Sequence, residues 1–158
     1  MKIKRATRED IPVLGQLVRS VHDLHAEAKP DLFKAWTQEA GEEDFKRFFD
    51  DKNWAKNSRV FIVYDPAPVA YMVVFIYDWP ESNLQFARGS IYIYHIAVKE
   101  EARRQGYATA LVNRAKDLAK ELNMPRVELD MWSFNTAAKA FYQSQGFATI
   151  EEKMSIEL

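Results

Sequence analysis

The residues best suited to chemistry lie in one stretch, Arg103-Arg104-Gln105-Gly106-Tyr107-Ala108. It stands between a strand-like run, 90–98, and a helix-like run that begins near Tyr107. A glycine lets the backbone turn sharply there, and the first N–H groups of the helix then point outward without internal acceptors. Together they carry about half an elementary charge and can hold a phosphate or pyrophosphate. The arginines add cations whose fork geometry suits phosphate oxygens, so the stretch predicts a site for a phosphate-bearing ligand.

The composition is that of a folded protein without thiol chemistry. The 158 residues are 47% hydrophobic, which is enough for a core, and the net charge of −1 gives no basis for nucleic-acid binding. The absence of cysteine excludes thiol catalysis, disulfides and cysteine-ligated metal. Residues 1–7 lack the apolar run of a signal peptide, and no stretch approaches the roughly 20 apolar residues of a membrane span. We therefore expect a cytoplasmic protein of one domain, 1–158, without a membrane partner.

The first half of the chain predicts a strand, two helices and a hairpin. Residues 2–6 predict the strand, and Thr7 with Asp10 predicts the start of a helix that reaches about His25. The apolar residues with helical spacing in that segment are Ile11, Leu14, Leu17, Val18, Val21 and Leu24. A second, short helix is predicted near 42–51. The β-branched runs 59–64 and 69–77 flank a turn signal at 65–68 and predict the hairpin.

The second half predicts alternating strands and helices. Residues 90–98 predict a third strand of the meander, and an apolar stripe through Ala108, Leu111, Ala115, Leu118 and Leu122 predicts the long helix that follows. Residues 126–132 predict a strand, 135–145 a short helix that ends at Gly146, and 147–158 a last strand. This order favours a mixed α/β sheet with helices on both faces.

Two motifs in this order resemble the GNAT superfamily of acetyl-CoA-dependent N-acetyltransferases. Ile96-Ala97-Val98 followed by the 103–108 stretch is similar to the R/Q-x-x-G-x-G/A signature of that family, with Ala108 where many relatives have glycine. Residues 135–147 are similar to its second motif, N-x-x-A-x-x-F-Y-x-x-x-G-F. The resemblance implies an α/β (α+β) fold, with a mostly antiparallel central sheet that splays at its middle.

The resemblance also implies how acetyl-CoA would bind. Main-chain amides of residues 104–109 would hold the CoA pyrophosphate, and the main chain of 96–98 would pair with the pantetheine arm. Asn135 would add a side-chain hydrogen bond to that arm, although its position also fits a helix N-cap. The residues implied in binding are Ile96, Ala97, Val98, Arg103, Arg104, Gln105, Gly106, Tyr107, Ala108, Thr109, Asn135 and Tyr142. No metal is expected.

Catalysis would involve Tyr142 and a residue of the strand before the signature. The resemblance places Tyr142 beside the CoA sulfur, where its phenol would donate a proton to the leaving thiolate. Many relatives supply the base as a carboxylate on that strand, but 91–96 contains none. Tyr94 and His95 are the candidates that remain, and they face the same side only if the strand bulges, as it often does in this family. A structural role for His95 is the alternative.

The amine acceptor cannot be identified from the sequence. The loops at 24–33 and 79–88 are expected to form its site, with acidic and polar groups from His25, Glu27, Asp31, Asp78 and Glu81. Carboxylates there would favour a cationic amine such as a polyamine or a lysine side chain. The oligomeric state stays open, although the aromatic residues and the predicted last strand would suit a homodimer. A CoA-binding module without catalysis is the alternative function, motivated by the missing strand carboxylate.

Overall fold

The computed structural model describes residues 1–156. Its five strands are β1 (Lys2–Arg5), β2 (Ser58–Tyr64), β3 (Pro68–Trp79), β4 (Arg88–Val98) and β5 (Val127–Leu129). Its six α-helices are α1 (Ile11–Leu17), α2 (Arg19–Ala28), α3 (Gln38–Asp50), α4 (Lys52–Asn57), α5 (Tyr107–Glu121) and α6 (Thr136–Ser144). Two 3₁₀ turns, Arg8–Asp10 and Glu100–Ala102, precede α1 and α5.

The strands form one mixed sheet in the order β1-β2-β3-β4-β5. The first three pairs are antiparallel, and β4 pairs with β5 in parallel. That last pair is short: Ile91, Tyr92 and Ile93 face Val127, Glu128 and Leu129, and β4 then continues to Val98 without β5. The sheet is therefore mostly antiparallel, and β4 has no neighbouring strand among residues 1–156 on one side after β5 ends. This architecture confirms the predicted fold class.

Alternation along the strands gives each face of the sheet its own core. On one face, Met72 and Val74 pack with Leu111 and Val112 of α5, and α6 joins this layer. On the other face, Tyr71 and Val73 pack with Leu14 of α1 and with Phe45 and Phe48 of α3. Because successive strand side chains point to opposite faces, a single strand such as β3 contributes to both cores. Helices on both faces are confirmed.

Several predicted bounds were wrong. The first helix is divided at Val18 into α1 and α2, α3 begins at Gln38 because Thr37 caps it, and α4 was not predicted. The strand predicted at 126–132 is only three residues long, since β4 and β5 separate after Leu129. Residues 147–156 form no strand, although the outer edge of β5 has no partner among the described strands. The last two residues of that prediction, 157 and 158, lie outside the described residues.

Candidate active site

The turn before α5 presents a row of free main-chain donors. Gly106 has φ +85° and Arg104 has φ +65°, so two left-handed residues bend the chain into the helix. Within residues 1–156, the N–H groups of residues 104–109 donate to no protein acceptor. A Cβ built on Gly106 would meet nothing within 4 Å. The turn is therefore open at Gly106, and it combines free amides with the positive end of a 15-residue helix.

Side chains of the turn hold it to the rest of the fold. The buried Tyr107 donates its hydroxyl hydrogen bond to Asp65 Oδ2 at 3.0 Å, which connects α5 to the β2–β3 turn. The Arg103 guanidinium donates to the carbonyl of Ser20 in α2 at 3.3 Å. Arg104 is exposed and makes no hydrogen bond in the described part of the chain. Of the two arginines, Arg104 is thus the cation that is free to meet an anionic ligand.

The end of β4 has one unpaired edge that leads toward this turn. Ile96, Ala97 and Val98 pair with Met72, Tyr71 and Ala70 of β3. On their other side β5 has already ended, so their main-chain groups there have no strand partner. An extended polar chain can add to such an edge by strand-like hydrogen bonding. The edge and the turn are thus two sets of unpaired main-chain groups, separated along the chain by residues 99–103, where the N–H groups of Lys99, Ala102 and Arg103 are paired.

A bulge in β4 brings Tyr94 and His95 to the same face. Val73 faces His95 and Val74 faces Ile93, so Tyr94 has no opposite residue in β3. The ring of Tyr94 packs against Phe75 at 5.4 Å, and the ring of His95 lies against Tyr71 at 5.9 Å, both on the α1–α3 side. The bulge that was required for both residues to face the cleft is present. It also marks the place where β4 parts from β5.

Burial determines the protonation of His95. It lowers the pKa of the imidazole to about 4, with smaller contributions from the nearby His25, His22 and Arg47, so the ring is neutral at pH 7. Tyr71 is fully buried, and desolvation raises the pKa of its phenol well above the ordinary value. The Tyr71 hydroxyl lies 2.7 Å from His95 Nδ1 and has no other hydrogen-bond partner among residues 1–156. It therefore donates to Nδ1, and His95 carries its proton on Nε2.

Residues of the second motif lie on the opposite face of the sheet. Asn135 caps α6 by accepting the Ala138 N–H at 3.1 Å, which leaves its side-chain NH₂ group free of protein acceptors in the described residues. Tyr142 packs into the α5–α6 core, and burial raises its pKa to about 12. Its hydroxyl makes no hydrogen bond to any described residue. Tyr142 is thus a neutral phenol with a free donor.

The region expected to form the acceptor site is rich in aromatic rings. From the 24–33 segment, His25 stacks on Phe33 at 5.3 Å, and Phe33 meets Trp132 at 5.9 Å. From the 79–88 segment, Trp79 packs on Tyr77 at 5.1 Å.

The sequence did not single out Tyr71, Tyr92 or Asp130. The period-2 alternation of β3 and β4 was the signal that could have placed the two tyrosines on this face. Between residues 1 and 156, no group of three His, Cys, Asp or Glu side chains is arranged to hold a metal ion.

Comparison with known proteins identifies the family. The model of the acetyltransferase (GNAT) family matches residues 20–147. The chain belongs to the GNAT acetyltransferase family. Its matched segment contains the bulge in β4, the turn before α5 and helix α6. Within residues 1–156, no helix has both the length and the apolar character to cross a membrane.

Individual GNAT relatives are similar over part of their length. N-acetyltransferase 8 of Homo sapiens is 40% identical over 55 residues, which are 35% of this chain and 24% of that protein. Mycothiol acetyltransferase of Beutenbergia cavernae is 28% identical over 104 residues, 66% of this chain and 33% of that protein. The chain thus spans a third or less of these curated relatives. A crystal structure of a tetramutant of the BH1408 protein from Bacillus halodurans superimposes with a TM-score of 0.91 at 25% identity, covering 100% of both chains.

Proposed function

We propose that this protein is an N-acetyltransferase that moves an acetyl group from acetyl-CoA directly to a primary amine of a small molecule, peptide or protein. One observation carries the proposal: a few residues after the unpaired edge of β4 at Ile96, Ala97 and Val98, the chain presents the free amides of residues 104–109. Together these groups suit a ligand with a pyrophosphate at one end and an amide-containing arm at the other. Membership of the GNAT family supports acetyl-CoA as that ligand.

Binding of acetyl-CoA follows from the unpaired groups. The amides of residues 104–109 take the pyrophosphate oxygens, and the exposed guanidinium of Arg104 adds a charge-assisted contact. The pantetheine amides hydrogen-bond to the main chain of Ile96, Ala97 and Val98. The free side-chain NH₂ of Asn135 reaches the same arm. The thioester then lies where β4 and β5 separate, with Tyr142 on one face of the sheet and the bulge on the other.

The chemical step is a direct acyl transfer. The amine nitrogen attacks the thioester carbonyl carbon, a C–N bond forms, and a main-chain N–H near Ile96 stabilises the oxyanion of the tetrahedral intermediate. The C–S bond breaks, and the sulfur leaves as a thiolate that receives a hydrogen bond from Tyr142. Because the pKa of Tyr142 is about 12, against about 8.5 for a free thiol, this phenol stabilises the thiolate mainly by donating a hydrogen bond.

Tyr94 and His95, the two residues at the β4 bulge, take part in the step in which the amine loses its proton. The neutral imidazole of His95 has a pKa of about 4, which makes it a weak base for an ammonium group. With Nδ1 occupied by Tyr71, it offers an N–H at Nε2. We therefore assign Tyr94 and His95 the task of positioning the amine and a water molecule, and the proton leaves through that water.

The Tyr142→Phe variant tests the proposal. Thiol release from acetyl-CoA in the presence of an amine panel should fall roughly 10²-fold in kcat, near the low end for acid–base catalysis because a thiol is already a good leaving group. Calorimetric titration with acetyl-CoA should give an unchanged Kd, since the ring and its packing remain. An unchanged kcat would remove Tyr142 from the mechanism. Binding of acetyl-CoA without turnover of any amine by the parent would favour the alternative, a CoA-binding module.

A further inference from the structure

A cavity of about 410 Å³ lies between the outer strands of the sheet and the second half of α5. We call it the edge cavity. Its apolar lining consists of Ile3 of β1, Phe61 of β2 and Leu118 of α5, which belong to the core on this face or pack against it. Leu118 lies about 18 Å along the helix axis from Gly106, at 1.5 Å per residue. Because β3 also stands between β2 and β4, the edge cavity is separate from the groups proposed to bind acetyl-CoA.

Three guanidinium groups surround this apolar lining. Arg5 faces Phe61 across the β1–β2 pair, and Arg59 lies two residues before Phe61, so the three side chains share one side of the sheet. Diagonal neighbours such as Arg5 and Arg59 have Cα atoms about 7–8 Å apart, a distance that long side chains can span. The third guanidinium, that of Arg114 in α5, lies over the ring of Phe61 at 5.0 Å. The edge cavity thus combines an apolar floor with cationic walls.

The charges that line the edge cavity do not balance. Glu121 is the one carboxylate in the lining formed by residues 1–156, and both of its oxygens accept from Arg114, at 2.8 and 3.2 Å. Arg5 and Arg59 form no ion pair with a carboxylate of the described chain. Burial, and to a smaller extent the charge of Arg5, lowers the pKa of the Arg59 guanidinium. The lining therefore carries two more positive charges than negative ones, and two of its cations are close neighbours.

Main-chain contacts hold the Arg59 guanidinium in position. Its Nη1 donates to the carbonyl of Lys56 at 3.0 Å and to that of Ser58 at 2.7 Å. No described residue accepts from its Nε or Nη2, so these donors are available to a ligand. A guanidinium that is already fixed loses little conformational freedom on binding, and two of its N–H groups can donate together to one oxyanion.

We propose that the edge cavity binds an organic phosphate monoester. The phosphate group lies between the guanidiniums of Arg5 and Arg59, and the organic part packs on the apolar floor. A phosphate monoester concentrates about −1.5 to −2 charges on three oxygens of one group at pH 7, which matches two neighbouring guanidiniums. A dicarboxylate of similar size divides this charge between two groups and is the competing class. The proposal goes beyond the acetyl transfer and does not depend on it.

Titration with phenyl phosphate, followed by proton–nitrogen correlation NMR, tests the proposal. The signals are assigned to residues, so binding at the edge cavity is distinguished from binding at the amides of 104–109. We expect saturable shifts of the arginine Nε–H signals of Arg5, Arg59 and Arg114, with a Kd of roughly 1 mM or lower. Inorganic phosphate lacks the ring and benzyl alcohol lacks the charge, so each should bind here roughly tenfold more weakly.

Two variants of Arg5 and a control examine the cationic wall. Arg5 is exposed, so Arg5→Gln should keep the fold and raise the Kd for phenyl phosphate roughly tenfold through the loss of a charge-assisted hydrogen bond. Arg5→Lys, which keeps the charge but not the fork geometry, should recover part of this loss. Lys4→Gln is the matched control, because Lys4 faces Ile62 and lies over the ring of Tyr64, on the other side of β1. Its Kd should equal that of the parent.

Each contrary outcome has a definite meaning. Shifts that do not saturate, or a Kd that Arg5→Gln leaves unchanged, overturn the site. Phthalate, a dicarboxylate with a ring, overturns the choice of a phosphate if it binds as tightly as phenyl phosphate. Displacement of phenyl phosphate by CoA from the edge cavity overturns its separateness from the acetyl-CoA site. These outcomes leave the acetyltransferase proposal intact, since Tyr142→Phe tests that proposal by itself.

Discussion

The contact between Tyr71 and His95 shows how burial determines the chemistry of a single side chain. Tyr71 is fully buried and His95 is partly buried, and desolvation raises the pKa of the phenol and lowers that of the imidazole. Their hydrogen bond at 2.7 Å joins two neutral partners and fixes the tautomer of the histidine. From the sequence alone, His95 was a candidate base with an ordinary pKa. In the folded chain its low pKa makes it a poor base, and its Nε2 N–H is available as a hydrogen-bond donor.

This shift predicts a loss of stability in acid. An unfolded histidine titrates near 6.5 and the folded His95 near 4, so the unfolded state binds the extra proton between these values. The free energy of unfolding should therefore fall by about 3 kcal/mol as the pH falls from 6.5 to 4, as far as His95 is concerned. Urea titrations of the parent and of His95→Gln over this range should show the difference. An equal fall in the free energy of unfolding with pH in the two proteins would contradict the lowered pKa of His95.

At the scale of elements, the turn before α5 was predictable because its determinants are local. A glycine, two arginines and a helical stripe lie within a few residues of one another, and the turn forms from the backbone preferences of those residues. Helix α6 with its Asn135 cap and the β2–β3 hairpin followed in the same way. The residues proposed to bind acetyl-CoA could be predicted from the sequence because short-range backbone preferences determine the structure around them.

The side of the sheet that we propose for the acceptor depends on contacts between residues distant in sequence. Tyr92 and Asp130 are 38 positions apart, and they meet because β5 lies next to β4 and then stops. The strand predicted at 147–158 failed, as far as the structure describes it, for a related reason. The run is strand-like, but residues 147–156 do not pair with the outer edge of β5, which has no other partner among the described strands. Whether a run joins an edge depends on residues outside that run.

Two glycines with the same backbone geometry provide a matched test of the turn. Gly106 has φ +85° and Gly146 has φ +89°, and a Cβ on either would meet nothing within 4 Å. Alanine at either position should destabilise the fold by about 1–2 kcal/mol, the cost of a left-handed backbone. Only Gly106→Ala should also raise the Kd for CoA, since it tilts the free amides. Calorimetric titration of both variants with CoA measures this effect. Equal Kd values for the two variants would show that the turn at Gly106 does not bind CoA.

At the scale of the molecule, the sheet separates the two substrates of the proposed reaction. The α5–α6 face holds the turn and Tyr142, and the α1–α3 face holds Tyr94 and His95. The two faces meet where β4 continues beyond the end of β5. The homodimer suggested by the sequence stays a prediction. The exposed side chains of Ile150, Met154 and Ile156 are the apolar surface of the C-terminal segment that such an assembly could cover.

CoA should stabilise the whole fold through the turn. A ligand that binds only the folded state adds about 2.7 kcal/mol of stability at 100 times its Kd. For a chain of this size that corresponds to a rise in Tm of roughly 5–11 °C. The same addition should slow amide hydrogen exchange at residues 104–109, which have no protein acceptors in the described structure. Dephospho-CoA, which keeps the pyrophosphate, should retain most of this protection, whereas pantetheine, which lacks it, should not. Protection by pantetheine alone would place the pyrophosphate elsewhere.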